Sequence, residues 1–226
     1  MKPSLNGTPL AAVIFDNDGL VLDSEEVWTR GEQVLYSRRG LEFTLDHKQE
    51  LVGQNAAAAG AILERRLGEP GRAAEIIAEL DVIVMEELEN GVEPMPGAVE
   101  VLEAVGTLGL PRGLVSNSPR AFIEVALSKT GLGHHFDVTL SAHEVAAPKP
   151  APDPYIEACV QLGVEAHEVI ALEDSPTGVA AARAAGLTVI GIPSVPGVKL
   201  DEAHHVARTL RDPLVAELLG IAASSR

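Results

Sequence analysis

The sequence predicts an α/β protein, a parallel-sheet core with an inserted helical domain, and three observations carry that reading. From residue 95 onward, short apolar runs alternate with stretches of helical periodicity. Gly109, Gly131, Gly163 and Gly186 each fall near the end of one of those helical stretches, where a left-handed residue is easily accommodated. Residues 21–94, by contrast, read as helix throughout with no convincing strand. A chain of 226 residues suits one large domain or two smaller ones and has ample apolar material for a core.

Taken in order, the run AAVIF (11–15) is the first strand. Three helices follow: EEVWTRGEQVLYSRRG, DHKQELVGQNAAAAGAILERRLG and GRAAEIIAELDVIVMEELENG. They are expected to form a cap-like helical domain, 21–94, attached through linkers near Leu20–Ser24 and Gly91–Pro96. Such an insertion belongs at a loop tip, where its two ends lie close together. The core domain is then 1–20 plus 95–226. Within it the strands RGLVSN, DVTLSA, EVIALE and LTVIGI alternate with the helices AVEVLEAVGTLG, RAFIEVALSKTGL, PDPYIEACVQLGV and TGVAAARAAGL. HHVARTL (204–210) reads as a short edge strand.

Composition excludes several roles. A net charge of −16 argues against a nucleic-acid partner, because phosphate backbones are neutralised by Lys and Arg. No apolar run approaches the roughly 18 residues of a membrane span. The opening MKPSLNGTPL lacks the apolar stretch of a signal peptide, so a cytoplasmic protein is expected. The single cysteine, Cys159, excludes an intramolecular disulfide and reads as a small apolar helix residue. A monomer or weak homodimer is expected.

The chemistry is sought where ligands bind in open parallel sheets, outside the carboxyl ends of the strands. Asp16 and Asp18 follow the first strand, and Ser116, Asn117 and Ser118 follow the second. Pro148-Lys149-Pro150 lies beyond the third, and Glu173, Asp174 and Ser175 end the fourth. Four acids on one edge require a compensating cation, and an all-oxygen ligand set with room for water suits Mg²⁺. A carboxylate beside Mg²⁺ and Lys149 can attack phosphorus, since the cations offset the charge on the phosphoryl oxygens. An aspartate two residues on can supply and remove protons. Gly19 would let the backbone turn sharply there.

FDNDGLVLDSE, VSNS, KPAPDPY and EDSPTGVAAARAAG match, in order, the four motifs of the haloacid dehalogenase-like hydrolases. The chain resembles the subgroup with a helical cap after the first motif, which includes phosphoglycolate, sugar-phosphate and polyol-phosphate phosphatases and β-phosphoglucomutase. The resemblance implies a Rossmann-like core and a small phosphorylated metabolite as substrate. It implies Asp16 as the nucleophile, forming an aspartyl-phosphate, and Asp18 as general acid and base. Mg²⁺ would be held by the carboxylates of Asp16 and Asp174 and the backbone carbonyl of Asp18, with Glu173 on metal-bound water. Ser116 and Lys149 would grip the phosphate, and Asn117 beside them would face the leaving group.

Relatives differ in the cap. Where β-phosphoglucomutases carry a cap histidine and a cap arginine, this chain has Trp28 and Ala56. Phosphonatases use a Schiff-base lysine, and Lys48 has no matching context. True dehalogenases lack the second aspartate, which is present here as Asp18. A phosphatase transferring to water is the reading left; a mutase, a receiver-like phosphoacceptor module and an inactive binding protein are the alternatives. Trp28 lines the substrate pocket or packs at the core. Arg30, Arg38, Arg39, Arg65 and Arg66 meet a substrate anion or solvate helix surfaces. Ser118, before Pro119, is expected to cap the helix that follows. His134, His135, His143, His204 and His205 show no metal-ligand spacing.

Overall fold

The computed structural model describes residues 4–5 and 8–222. Two short strands, β1 (Ser4–Leu5) and β2 (Thr8–Pro9), pair antiparallel ahead of the main sheet. That sheet contains β3 (Ala12–Asp16), β4 (Arg112–Ser116), β5 (Val138–Ser141), β6 (Val169–Glu173), β7 (Thr188–Gly191) and β8 (His205–Val206). Their order is β5-β4-β3-β6-β7-β8 and every pairing is parallel. The first core strand is therefore central, and the chain builds outward from it in both directions. The crevice where it reverses lies at the ends of β3, β4 and β6.

Alternation along β3 explains why both faces of the sheet are covered. Val13 and Phe15 point into one apolar cluster, with Leu114 and Leu172. Helices α5 (Ala98–Thr107) and α6 (Arg120–Thr130) cover that side through Val101, Leu102, Phe122 and Ile123. Ala12 and Ile14 point the other way, with Val115 and Ala171. There α7 (Asp153–Leu162) and α8 (Pro176–Ala184) supply Tyr155, Ala158, Cys159 and Val179. Cys159 is thus a buried packing residue, its thiol pushed up to about 11 by burial. The expected edge strand is present as β8, and α9 (Pro213–Leu219) follows it, a helix the apolar pattern did not announce.

Between β3 and α5 come α1 (Ser24–Ser37), α2 (Leu45–Leu51), α3 (Ala56–Leu67) and α4 (Ala73–Leu88). Four helices replace the three expected. The middle prediction breaks at Val52–Asn55, where Gly53 takes φ +68° and Asn55 caps α3 by accepting from Ala58 N at 3.0 Å. Helices α1 and α4 pack closely: a Cβ on Gly31 would lie 2.6 Å from Val84 Cγ2. The two connections pair with each other, as Asp23 N donates to Glu93 O (2.8 Å) and Met95 N to Val21 O (2.9 Å). Among the described residues no helix is long and apolar enough to cross a membrane.

Candidate active site

Asp16, Ser116 and Glu173 are the last residues of β3, β4 and β6, so three neighbouring strands deliver them to one edge. Asp18 lies two residues beyond β3 in a turn set by Gly19, at φ +78°. Any side chain at Gly19 would strike the site itself, since a Cβ would fall 2.3 Å from Asp174 Oδ2.

Lys149 is the hub of the buried charges. Its Nζ donates to Asp16 Oδ1 (2.6 Å), Glu173 Oε1 (2.6 Å) and the Val115 carbonyl (2.9 Å), and its side chain is 3% exposed. The Tyr155 hydroxyl donates to the same Glu173 oxygen. Asn117 fixes the lysine's backbone, accepting from Lys149 N (3.1 Å) and donating to Lys149 O (3.3 Å). From α3's cap, Asn55 Nδ2 also donates to Lys149 O, at 3.2 Å. Asn117 was expected to face the leaving group; it lines the cavity while its amide spans the lysine backbone.

Asp18 accepts three hydroxyls: Ser24 Oγ on Oδ1 (2.7 Å), and Ser116 Oγ (2.6 Å) and Ser118 Oγ (2.8 Å) on Oδ2. Ser118 does not cap α6. The helix begins at Arg120 with Pro119 at the cap position and no side-chain cap, so Ser118 lies one residue too early, and its proton goes to Asp18. Ser116's single proton is likewise committed to Asp18, so gripping a phosphate would require it to leave that bond. Ser24, Tyr155 and Ser194, which donates to Asp174 Oδ2, are the supporting residues that sequence reasoning did not assign to the site; Ser118, noted at the strand end, joins them on Asp18.

The electrostatics are unbalanced. Burial pushes the Asp16 carboxyl well above its ordinary range; Lys149 opposes this, and Glu173 and Asp18 add to it. Burial, with the charges of Asp16 and Glu25, does the same to Asp174. Lys149 is raised in turn, as Asp16 and Glu173 more than offset its own burial. One ammonium thus serves Asp16 and Glu173, and one oxygen from each of these and from Asp174 lies within 4.8 Å of the others. A buried acid cluster with one cation too few, built only of oxygen donors, fits a hard divalent ion such as Mg²⁺. No histidine belongs to this cluster.

A cavity of about 110 Å³ opens beside these groups. Asp18, Asn117 and Asp174 line it from the strand ends, and Trp28, Lys48 and Leu80 from the helical segment. Trp28 lines the cavity and also packs on Phe122, with ring centroids 5.4 Å apart. The five arginines lie elsewhere, each paired with a glutamate: Arg30 with Glu87, Arg38 with Glu79, Arg39 with Glu69 and Glu79, Arg65 and Arg66 with Glu50. The seam between segment and core is tight, for a Cβ on Gly53 would fall 2.4 Å from Ser175 Cβ.

A parallel sheet whose central strand ends in Asp-x-Asp, with a buried lysine and a Glu-Asp pair on the neighbouring strand, defines a class of hydrolases. Residues 13–192 match the family described as haloacid dehalogenase-like hydrolase, and the chain belongs to that family. It is 30% identical over 184 residues to validoxylamine A 7'-phosphate phosphatase of Streptomyces hygroscopicus subsp. limoneus, covering 79% of this chain and 84% of that protein. It is 29% identical over 190 residues to hexitol phosphatase B of Escherichia coli K12, covering 82% and 84%. Among solved structures, a haloacid dehalogenase family hydrolase from Deinococcus radiodurans R1 with bound phosphate and sodium superposes at a TM-score of 0.75. It shares 28% identity, with 96% of this chain and 99% of that one covered.

Proposed function

We propose that the chain is a cytoplasmic, Mg²⁺-dependent phosphatase for a small phosphate monoester of the sugar, polyol or glycolate type, acting through an aspartyl-phosphate on Asp16. The observation that carries this reading is the pairing of Asp16 with a buried ammonium while Asp18, two residues on, lines the same cavity. Lys149 occupies Asp16 Oδ1, and no donor among the described residues hydrogen-bonds Oδ2, which is the oxygen left to attack. Attack forms the Oδ2–phosphorus bond and breaks the ester bond, with Asp18 giving a proton to the departing alkoxide. Asp18 then takes a proton from water as that water attacks phosphorus. Inorganic phosphate leaves and the Asp16 carboxylate is restored.

Asp16 and Asp174, with the backbone carbonyl of Asp18, would hold Mg²⁺, and Glu173 would steady its water. When bound, the ion offsets the charge of the phosphoryl oxygens and of the acid cluster. Helices α1–α4 would act as a cap whose closure over the cavity excludes bulk water. Both similar phosphatases named above act on phosphorylated compounds by their names, and the lone buried cysteine fits a reducing compartment.

The test is release of phosphate from p-nitrophenyl phosphate, with Mg²⁺, after EDTA, and with Ca²⁺ in its place. Turnover with Mg²⁺ only, and inhibition by Ca²⁺, are expected, because Ca²⁺ takes more ligands at longer distances and would engage both Asp16 oxygens. Full turnover after exhaustive chelation contradicts the metal requirement. With β-glucose 1-phosphate and a trace of glucose 1,6-bisphosphate, phosphate release should outrun glucose 6-phosphate formation. Trp28 and Ala56, where mutases have histidine and arginine, both line the cavity. The reverse order would restore the mutase.

A further inference from the structure

The part of the cavity wall supplied by α1 and α2 is charged in an unusual way. Lys48 Nζ lies 2.6 Å from Glu25 Oε2 and 3.2 Å from Glu32 Oε2, with the lysine side chain 8% and Glu32's 5% exposed. The Glu32 contact is a hydrogen bond. The Glu25 contact is a closer ion pair, so two carboxylates face one ammonium. All three residues line the cavity, and Asp81 on α4 adds a further acid. The basic side chains lining it are Lys48, His143 and Lys149. Lys149 is held by Asp16 and Glu173, and Lys48 by two glutamates. The six arginines of α1–α4 and their connections, Arg72 included, are all spent on glutamates away from the cavity.

Recognition of a carboxylate or second phosphate on the leaving group would call for a free ammonium or a guanidinium fork. The helical wall offers instead carboxylate acceptors, one ammonium donor already neutralised, and the Trp28 indole. Carboxylates accept hydroxyl protons, an ammonium donates to hydroxyl lone pairs, and an indole face covers C–H surface. We infer that this wall selects esters whose leaving group is an uncharged polyhydroxy alcohol, with Glu25, Glu32 and Lys48 as the hydroxyl-recognising group, and rejects esters carrying a second anion. The inference rests on the phosphatase reading and narrows it, removing the glycolate type and bisphosphates from its substrates.

A matched pair of substrates tests it. Glucitol 6-phosphate and 6-phosphogluconate differ only in a terminal hydroxymethyl against a carboxylate. With p-nitrophenyl phosphate turnover as the control for the chemistry, kcat/KM for the glucitol ester should exceed that for the gluconate by about 100-fold or more, because like charges across a closed site are strongly disfavoured. Near-equal values, or a preference for the gluconate, with p-nitrophenyl phosphate still hydrolysed, overturn the inference and leave the phosphatase reading standing. Failure to hydrolyse all three overturns both. In Glu25→Gln, one of the two charges neutralising Lys48 is removed, and the glucitol-to-gluconate ratio should shrink about tenfold. A variant that slows both substrates alike, with the ratio unchanged, overturns the role given to Glu25. The wild-type ratio decides the selectivity even if the variant does not fold.

Discussion

Lys149 Nζ stands 2.6 Å from Asp16 Oδ1, across 133 residues of sequence, in a pocket where both side chains are more than nine-tenths buried. The pair joins the strand end that opens the core to the loop after β5. It gives Asp16 its ammonium partner while leaving the second oxygen uncommitted.

Lys149→Met should lower kcat about 10³-fold, by removing a preorganised cation from the site of developing charge. It should also cost about 3 kcal/mol of stability at neutral pH, because Asp16 and Glu173 are left buried without their cation. Phosphate-release kinetics and urea unfolding in metal-free buffer read the two effects. Activity and stability close to those of the wild type contradict the hub role given to Lys149.

Ser118→Ala removes one of the three hydroxyls on Asp18. A hydrogen bond to a charged group is worth about 1.5 kcal/mol or more, so kcat should fall about tenfold with little change in KM. Steady-state kinetics should show the loss more strongly for a poor leaving group, which would rely on the proton proposed to come from Asp18, than for p-nitrophenol. Equal losses for both would assign Ser118 a purely structural role.

The strands were legible because each is a continuous apolar run flanked by turn residues, and Asp16, Asp18, Lys149, Glu173 and Asp174 because they follow such runs. What was not legible has a common cause. Ser24, Tyr155 and Ser194 reach their acids through contacts that no local pattern encodes; Tyr155 sits on a helix face where an aromatic reads simply as core. The break at Val52–Asn55 was hidden because alanines continue the helical pattern on its far side. Gly53 at φ +68° and the Asn55 cap make the break locally, and the close approach of Gly53 to Ser175 leaves no room for a side chain there. Ser118 fitted the rule for a helix cap, but α6 starts one residue later, with Pro119 at the cap position, and the Ser118 proton goes to the Asp18 carboxylate.

Glu32 provides a pH test away from the acid cluster. Burial pushes its carboxyl up to about 7, with Lys48 opposing and Glu25 reinforcing the shift. Lys48 is raised although burial opposes it, because it meets two carboxylates while they share one ammonium. The folded protein therefore retains a proton on Glu32 that the unfolded chain releases, and stability falls as pH rises from about 4.5 to about 7. Burial raises Asp16 and Asp174 with the same sign. Thermal unfolding in metal-free buffer from about pH 5 to about pH 7.5 should show Tm declining, and Glu32→Gln should flatten part of that slope. Parallel wild-type and variant curves would contradict the assignment.

Asp16 is the proposed nucleophile toward phosphorus, and the acyl-phosphate itself is the most direct readout. Enzyme mixed with a turned-over phosphate ester and Mg²⁺, quenched in acid within a single turnover and reduced with borohydride, should yield homoserine at position 16 on peptide mapping. Enzyme without substrate should yield aspartate there, and Asp16→Asn should give neither homoserine nor phosphate release, while keeping a native circular dichroism spectrum. Phosphate release by Asp16→Asn within tenfold of the wild type, with position 16 unmodified throughout the wild-type turnover, would contradict that role.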